Sequence, residues 1–294
     1  MISTALLRYG SYVPEGLKSY LYPIYYYTRD IEQYLLYGYR RLHNDNIIET
    51  ECGFRMIIDE SDFVQRRYLT GEASSEQDFI ACISQEIKKS NGDFVDVGAN
   101  VGFYSLLFAS ISSKSVFAFE PLDYNSNQLR KNCDLNGFQN ISIFSFGLSD
   151  HSDYSNIHYH VFNKGAADSS TNRDGLSFLK KSQNVKFERL DTIKGLSNNI
   201  SLMKIDVEGH ELNVIKGARQ TIQNQRPDIF VEIHPEILDS QGQSTSELIE
   251  YVFEMGYDSI YLIQDEVTLT HDEATRSIDR IEKNHSIWCR FAGG

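Results

Sequence analysis

From Asp93 onward the apolar residues fall into short unbroken runs set between longer amphipathic segments. "DFVDVG", "SVFAFE", "ISIFSFGLS", "ISLMKIDVEG" and "PDIFVEIHPE" have the length and the β-branched and aromatic content of buried strands. "GFYSLLFASIS", "DYNSNQLRKNCDLNG" and "HELNVIKGARQTI" lie between them and have helical length, the second closed by Gly137. "STSELIEYVFEMG" adds a helix, and "YDSIYLI" and "HSIWCRF" add two strands. This alternation predicts an α/β fold, a doubly wound and mostly parallel sheet. The last two strands flank a loop with no clear crossover helix, so they are expected to form an antiparallel C-terminal pair. "VKFERLDTI" reads as an additional strand. Residues 150–184 break the rhythm: they are rich in Ser, Asn, Asp and His and are expected to cross the active face.

The pattern upstream is different. "GFRMIIDESDFVQRRYL" predicts two short strands around an acidic turn at Asp59 to Asp62. "SSEQDFIACISQEIKKS" has helical spacing, with Phe79, Ile80, Ile83 and Ile87 on one face, and Asn91-Gly92 ends it. The first fifty residues are dense in tyrosine and interrupted by Pro23. One or two amphipathic helices are expected there, laid as a packing arm over the main domain or serving as a lid, a homodimer contact or a membrane-surface contact. The expected partition is an N-terminal arm and β-hairpin over 1–70 and a second domain over 71–294.

The stretch between the first strand and its helix carries the first chemical signal. Gly98 and Gly102 let the backbone approach a ligand, Asn100 tolerates unusual angles, and the helix start offers unpaired N–H donors. The spacing is not the G-x-G-x-x-G of dinucleotide folds. Asp96, two residues before Gly98, suits a cation better than a pyrophosphate. Roughly twenty residues on, Glu120 ends the second strand, where an acid can hold both hydroxyls of a ribose, and Pro121 helps stop the strand. An amino-acid end beside Asp96 and a ribose beside Glu120 fit S-adenosylmethionine.

"FVDVGANVGFYS", "AFEPLDYNSNQLRKN", "FGLSD", "LDTI", "LMKIDVEGHELNVIKGA" and "PDIFVEIHPE" occur in this order. Together they resemble the FkbM family of class I S-adenosylmethionine-dependent methyltransferases, over roughly residues 70 to 265. The resemblance implies a seven-stranded Rossmann-like sheet with a final antiparallel pair. It also implies O-methylation of a sugar or natural-product hydroxyl. By position it makes Asp96, Gly98, Ala99 and Asn100 cofactor-loop residues, with Tyr104 on the helix behind them. Glu120 and Pro121 would take the ribose side, and Leu148 would flank the adenine. Glu76 matches a glutamate that helps hold the methionine end, with Glu72 a nearby competitor.

Methyl transfer from a sulfonium is an in-line displacement that needs alignment and, for an alcohol, removal of a proton. Lys204 and Asp206 lie two apart at the end of one strand, and Glu232 and His234 have the same relation on the next. These strand ends are expected to bring Asp206, Glu232 and His234 to one point, with His234 titrating near neutrality. Glu208 and Glu211 open the following helix, where a carboxylate is favourable in any case; that role fits Glu211 better, and Glu208 joins Lys204, Asp206, Glu232 and His234 as a catalytic candidate. Lys204 has a second reading as an ion-pair partner. A divalent metal on Asp206, Glu232 and His234 is the alternative to a protein base.

Composition narrows the partners. A formal net charge of -13 argues against a nucleic-acid surface and leaves a small-molecule or glycan acceptor. The four cysteines show no metal-ligand spacing, and no apolar run has the length of a signal peptide core or a bilayer span. A cytoplasmic location is the expectation. N-methylation, a dehydrogenase on a similar sheet and a non-catalytic docking module are the competing classes.

Overall fold

The computed structural model describes residues 46–59, 62, 65, 76–160, 163–168, 180–284 and 286–291. The tyrosine-rich arm and the homodimer contact expected of it fall outside these residues, as do Glu72 and the middle of the polar excursion.

The described chain opens with a hairpin, β1 (Asn46–Glu49) and β2 (Arg55–Ile58). Its turn is at residues 50–54, where Gly53 takes φ 82°, and not at the acidic residues. Asp62 N donates to Asp59 O at 2.9 Å, and Asp62 Oδ1 accepts from Gln65 N at 3.2 Å; the second expected strand, beyond Asp62, falls almost wholly outside the described residues. Asn132 and Asn136 bind the backbone of the hairpin, and Phe54, Met56 and Ile58 enter the main core.

In chain order there follow α1 (Gln77–Lys89), β3 (Asp93–Val97), α2 (Phe103–Ile111), β4 (Val116–Phe119), α3 (Asp123–Asn136), β5 (Ile141–Phe144) and β6 (Gly147–Leu148). Next come β7 (Asp153–His160), β8 (Asn163–Asp168), β9 (Lys180–Glu188), β10 (Ile200–Ile205), α4 (Glu211–Gly217), α5 (Arg219–Gln225) and β11 (Asp228–Glu232). The chain finishes with α6 (Pro235–Ser240), α7 (Thr245–Glu254), β12 (Ser259–Leu262), β13 (Val267–Leu269), α8 (His271–Arg276), α9 (Ile278–Asn284) and β14 (Ser286–Arg290). Among the described residues, no helix is long and apolar enough to cross a membrane.

The main sheet has the order β13-β12-β14-β11-β10-β3-β4-β5. The strands from β5 to β11 are parallel, and β14 is antiparallel to both β11 and β12, as expected of the closing pair. The eighth strand, β13, is beyond the seven expected; the chain folds back through Glu266 at φ 54° and pairs with β12. The segment between β12 and β14 is not a bare loop, for it holds α8 and α9. These helices of 6 and 7 residues are too short to show a period, although Thr270 and Glu273 form a capping box. Two other expected elements divide. "HELNVIKGARQTI" breaks at Ala218 into α4 and α5, and the third strand leaves the sheet after Phe144 so that β6 can pair with β9. The polar excursion becomes a second sheet of order β6-β9-β7-β8, with "VKFE" inside β9.

Strand alternation builds the two layers. Val95, Val97, Met203, Ile205, Ile229 and Val231 face α4, α5 and α7. Phe94, Ala118, Leu202 and Phe230 face α1, α2 and α3. Of the expected α1 face, Phe79, Ile83 and Ile87 are buried and Ile80 is half-buried. Register then has a chemical consequence: β10 pairs with β3 so that Lys204 lies opposite Asp96, on the face covered by α1 and α2.

Phe230 ties this face together, stacked on Trp288 at a 5.3 Å ring separation and edge-on to Phe79 at 5.7 Å. Phe230→Ala is expected to lower unfolding free energy by about 3–5 kcal/mol, read as a drop in the urea midpoint at unchanged m-value.

Candidate functional site

The turn after β3 takes the backbone angles that its sequence suggests: Gly98 has φ 74°, Asn100 φ 51° and Gly102 φ 100°. The N–H groups of Gly98 and Ala99 both donate to Phe119 O at 3.0 Å, which fixes the turn to β4. A side chain at Gly98 would place its Cβ 1.8 Å from the carbonyl oxygen of Asp206. Glycine is therefore required twice over there, for its angle and for its lack of bulk. Glu120 closes the other side of the turn. Its Oε2 accepts from Asn100 N and its Oε1 from Leu122 N, each at 2.9 Å. Burial pushes this carboxyl up to about 7, against the pull of those two backbone donors.

Lys204 lies directly beneath the turn. Its Nζ is buried and donates to Gly98 O and Asp206 Oδ2, both at 3.2 Å, with Asp96 Oδ1 at 3.8 Å. The Tyr104 ring lies 5.1 Å from the ammonium. Burial alone would favour the neutral amine; Asp206 and then Asp96 outweigh it and raise the Lys204 pKa above its ordinary value. Asp96 is fully buried and also accepts from Ser105 Oγ at 2.6 Å. Burial raises its pKa, opposed by Lys204 and Ser105.

Past β10 the chain turns through Asp206, Val207, Glu208 and Gly209 into α4. Glu208 is held at φ 52°, a strained angle for a residue with a side chain, and Gly209 at φ 89°. Glu211 follows, fully buried, its Oε1 accepting from Gly209 N at 2.8 Å and lying 2.9 Å from His234 Nδ1. Nε2 of the same ring is 3.5 Å from Glu208 Oε2. Burial disfavours the charged ring, but Glu211, Glu208 and Asp206 together push His234 up to about 10. These carboxylates favour the charged imidazolium, whereas the ordinary pKa suggests titration near neutrality. Glu232 is pushed up to about 8, first by the Asp206 carboxylate and then by burial; Glu76 at the start of α1 adds to this.

A cavity of about 290 Å³ opens at the carboxyl ends of β3, β4 and β10. Of the expected cofactor residues, Gly98, Asn100, Glu120, Pro121 and Leu148 line it. Asp96, Ala99, Tyr104 and Glu76 do not; the first three lie behind the turn or in its backbone, and Glu76 lies near Glu232. Of the expected catalytic group, Asp206 and Glu208 line the cavity, while Lys204, Glu232 and His234 surround Asp206 from outside its wall. The metal alternative also changes membership. Among the described residues, the ligand atoms within 4.8 Å of one another are those of Asp206, Glu208 and His234, with Glu208 where Glu232 was expected.

Several lining residues had not been singled out. Ser155, Asn156 and Ile157 of β7 and Phe187 of β9 make the second sheet a wall of the cavity. Ser149 follows Leu148, and its Oγ lies 3.0 Å from His210 Nε2, a ring whose pKa is lowered by burial. The adjacent "FGLSD" and "KIDVEGHE" blocks hold Ser149 and His210; nothing in the sequence marks Asn156 or Phe187.

The sheet order and the reversed strand near its edge define a Rossmann-like methyltransferase architecture. The methyltransferase FkbM domain is matched over residues 96–259. The chain belongs to the FkbM family of methyltransferases. It is 30% identical over 160 residues to the hexuronic acid methyltransferase AglP of Haloferax volcanii, covering 54% of this chain and 62% of that protein. The chain thus spans less than two thirds of that relative's length. The FkbM methyltransferase of Methylobacillus flagellatus overlaps it structurally with TM-score 0.39 and 20% identity, over 57% of this chain and 39% of that one. A precorrin-6y C5,15-methyltransferase of Geobacter metallireducens overlaps with TM-score 0.39 and 12% identity, over 72% and 86%.

Lys204 leads to a direct test. Lys204→Met removes the cation between two carboxylates and is expected to cost about 3–5 kcal/mol of stability. Adding Asp96→Asn should recover part of that loss; strictly additive losses in urea titrations would show that the two residues are not coupled.

Proposed function

We propose that this protein is an S-adenosylmethionine-dependent O-methyltransferase whose acceptor is a saccharide hydroxyl. One observation carries the donor assignment: Glu120, the Gly98 turn, Asp206 and Glu208 line a single cavity, with Glu120 bonded to the turn through Asn100 N. Glu120 suits the two ribose hydroxyls, the turn gives close backbone approach, and Leu148 offers an apolar surface beside Ser149 for a base. The methyl group would then face the part of the cavity lined by Asp206 and Glu208. Asp96 is already occupied by Lys204 and Ser105, so we assign it to holding the turn from behind instead of binding the amino group itself.

In the reaction the acceptor oxygen attacks the methyl carbon as the carbon–sulfur bond breaks. The oxygen gains a methyl group and loses its proton, and the donor leaves as a neutral thioether. Asp206 and Glu208 are the cavity-lining carboxylates able to accept that proton. Alignment of oxygen, carbon and sulfur between two walls would contribute most of the acceleration. The wall made by β7 and β9 presents Ser155, Asn156 and Phe187, hydrogen-bonding groups and a flat ring of the kind that sugars need. The hexuronic acid named for the Haloferax volcanii relative supports a saccharide, and a uronate is the first acceptor to try.

Two measurements test this. Calorimetry with S-adenosylhomocysteine should detect one site. Its affinity should fall about tenfold from pH 8 to pH 6, because protonating Glu120, whose pKa is about 7, removes acceptor capacity for the ribose. Glu120→Gln should bind weakly and without this pH dependence; an affinity that is flat or rises toward pH 6 rejects the ribose role. With labelled donor, uronate-containing glycans should be methylated. Asp206→Asn should lower turnover by about 10²-fold or more while leaving S-adenosylhomocysteine affinity nearly intact.

A further inference from the structure

Asp206, Glu208 and His234 come from three separate points of the chain. Asp206 ends β10, Glu208 sits in the strained turn, and His234 immediately precedes Pro235 at the start of α6. Each offers one ligand atom, all within 4.8 Å of one another, and all three residues are half-buried. Asp206 and Glu208 also line the cavity, so an ion held here would keep coordination positions open toward it.

A second observation points the same way. Glu211 is fully buried and fixes Nδ1 of His234 at 2.9 Å, which leaves Nε2 on the side of Glu208. A carboxylate on the far nitrogen is the usual orienting partner of a metal-binding histidine. The second oxygen of Glu211, Oε2, is buried with no hydrogen-bond partner among the described residues, an expensive arrangement if its task were packing alone. The crowd of carboxylates requires positive charge at this point.

We propose that Asp206, Glu208 and His234 bind one divalent cation at the acceptor end of the cavity, and that Glu211 is the residue that positions the imidazole. Two carboxylates and one imidazole form a mixed oxygen and nitrogen set, suited to first-row ions such as Mn²⁺. The role follows from the donor and acceptor reading above, on which it rests. A cation here lowers the pKa of a bound hydroxyl, and it neutralises a cavity end that would otherwise repel a uronate carboxylate.

Mn²⁺ binding to chelator-treated protein, followed by calorimetry and by loss of the free-ion resonance signal, tests the site without any methyl donor. One saturable site is expected. Glu208→Gln and His234→Ala should each weaken it at least tenfold, and Glu211→Gln about 10- to 100-fold. Mn²⁺ should raise the melting temperature of the parent chain but not that of Glu208→Gln, whose metal-free melting temperature serves as the folding control. No saturable uptake, or uptake unchanged by Glu208→Gln, overturns the proposal. Titrating the same protein with S-adenosylhomocysteine separates the two ideas. Donor binding without Mn²⁺ uptake removes the cation alone, and Mn²⁺ uptake without donor binding removes the donor reading alone.

Discussion

The site is organised around one buried ammonium. Lys204 reaches from β10 under the turn of the neighbouring strand and touches the carbonyl of Gly98, the carboxylate of Asp206 and, at longer range, that of Asp96. Burial disfavours charge on both Asp96 and Lys204, and each helps hold the other's charge in place. Ser105 on α2 and the ring of Tyr104 complete its surroundings. The arrangement couples two functional ends: the turn that would meet the donor and the carboxylate that would face the acceptor share one counter-ion.

Beyond Asp206 the electrostatics are managed locally. Glu208 and Glu211 both approach His234, and Glu232 lies within electrostatic range of Asp206, His234 and Lys204. That excess of negative charge explains why the ring holds its proton so firmly and why Glu232 resists losing its own. It also sets Asp206 apart, since it borders the cavity and belongs to both the lysine and the histidine groups.

Much of the frame was legible in the linear chain, because the strands of the main sheet are local apolar runs and their helices have full periods. The glycine turn and Glu120 were legible for a similar reason: unusual backbone angles and a strand-ending acid leave marks at single positions. What escaped were facts of pairing. That Lys204 stands beside Asp96 is a matter of register between strands 108 positions apart in the chain. That Glu211 grips His234, and so favours a cation over the presumed base, depends on a turn and a strand end meeting. β7 looked like a loop because polar residues fill most of its positions, and of β9 only the "VKFE" end read as a strand. α8 and α9 were hidden by brevity.

The two sheets divide the cavity between them. Gly98, Glu120 and Asp206 lie at the ends of the parallel strands, whereas Ser155, Asn156, Ile157 and Phe187 come from a second sheet, a ribbon that contains β6 and bonds the segment after Glu120 through Gln183. Substitutions along that ribbon can reshape one wall without disturbing any hydrogen bond of the Gly98 turn. Under the assignment proposed above, a lineage could exchange one acceptor for another by drift in this ribbon while the Gly98 turn is inherited unaltered.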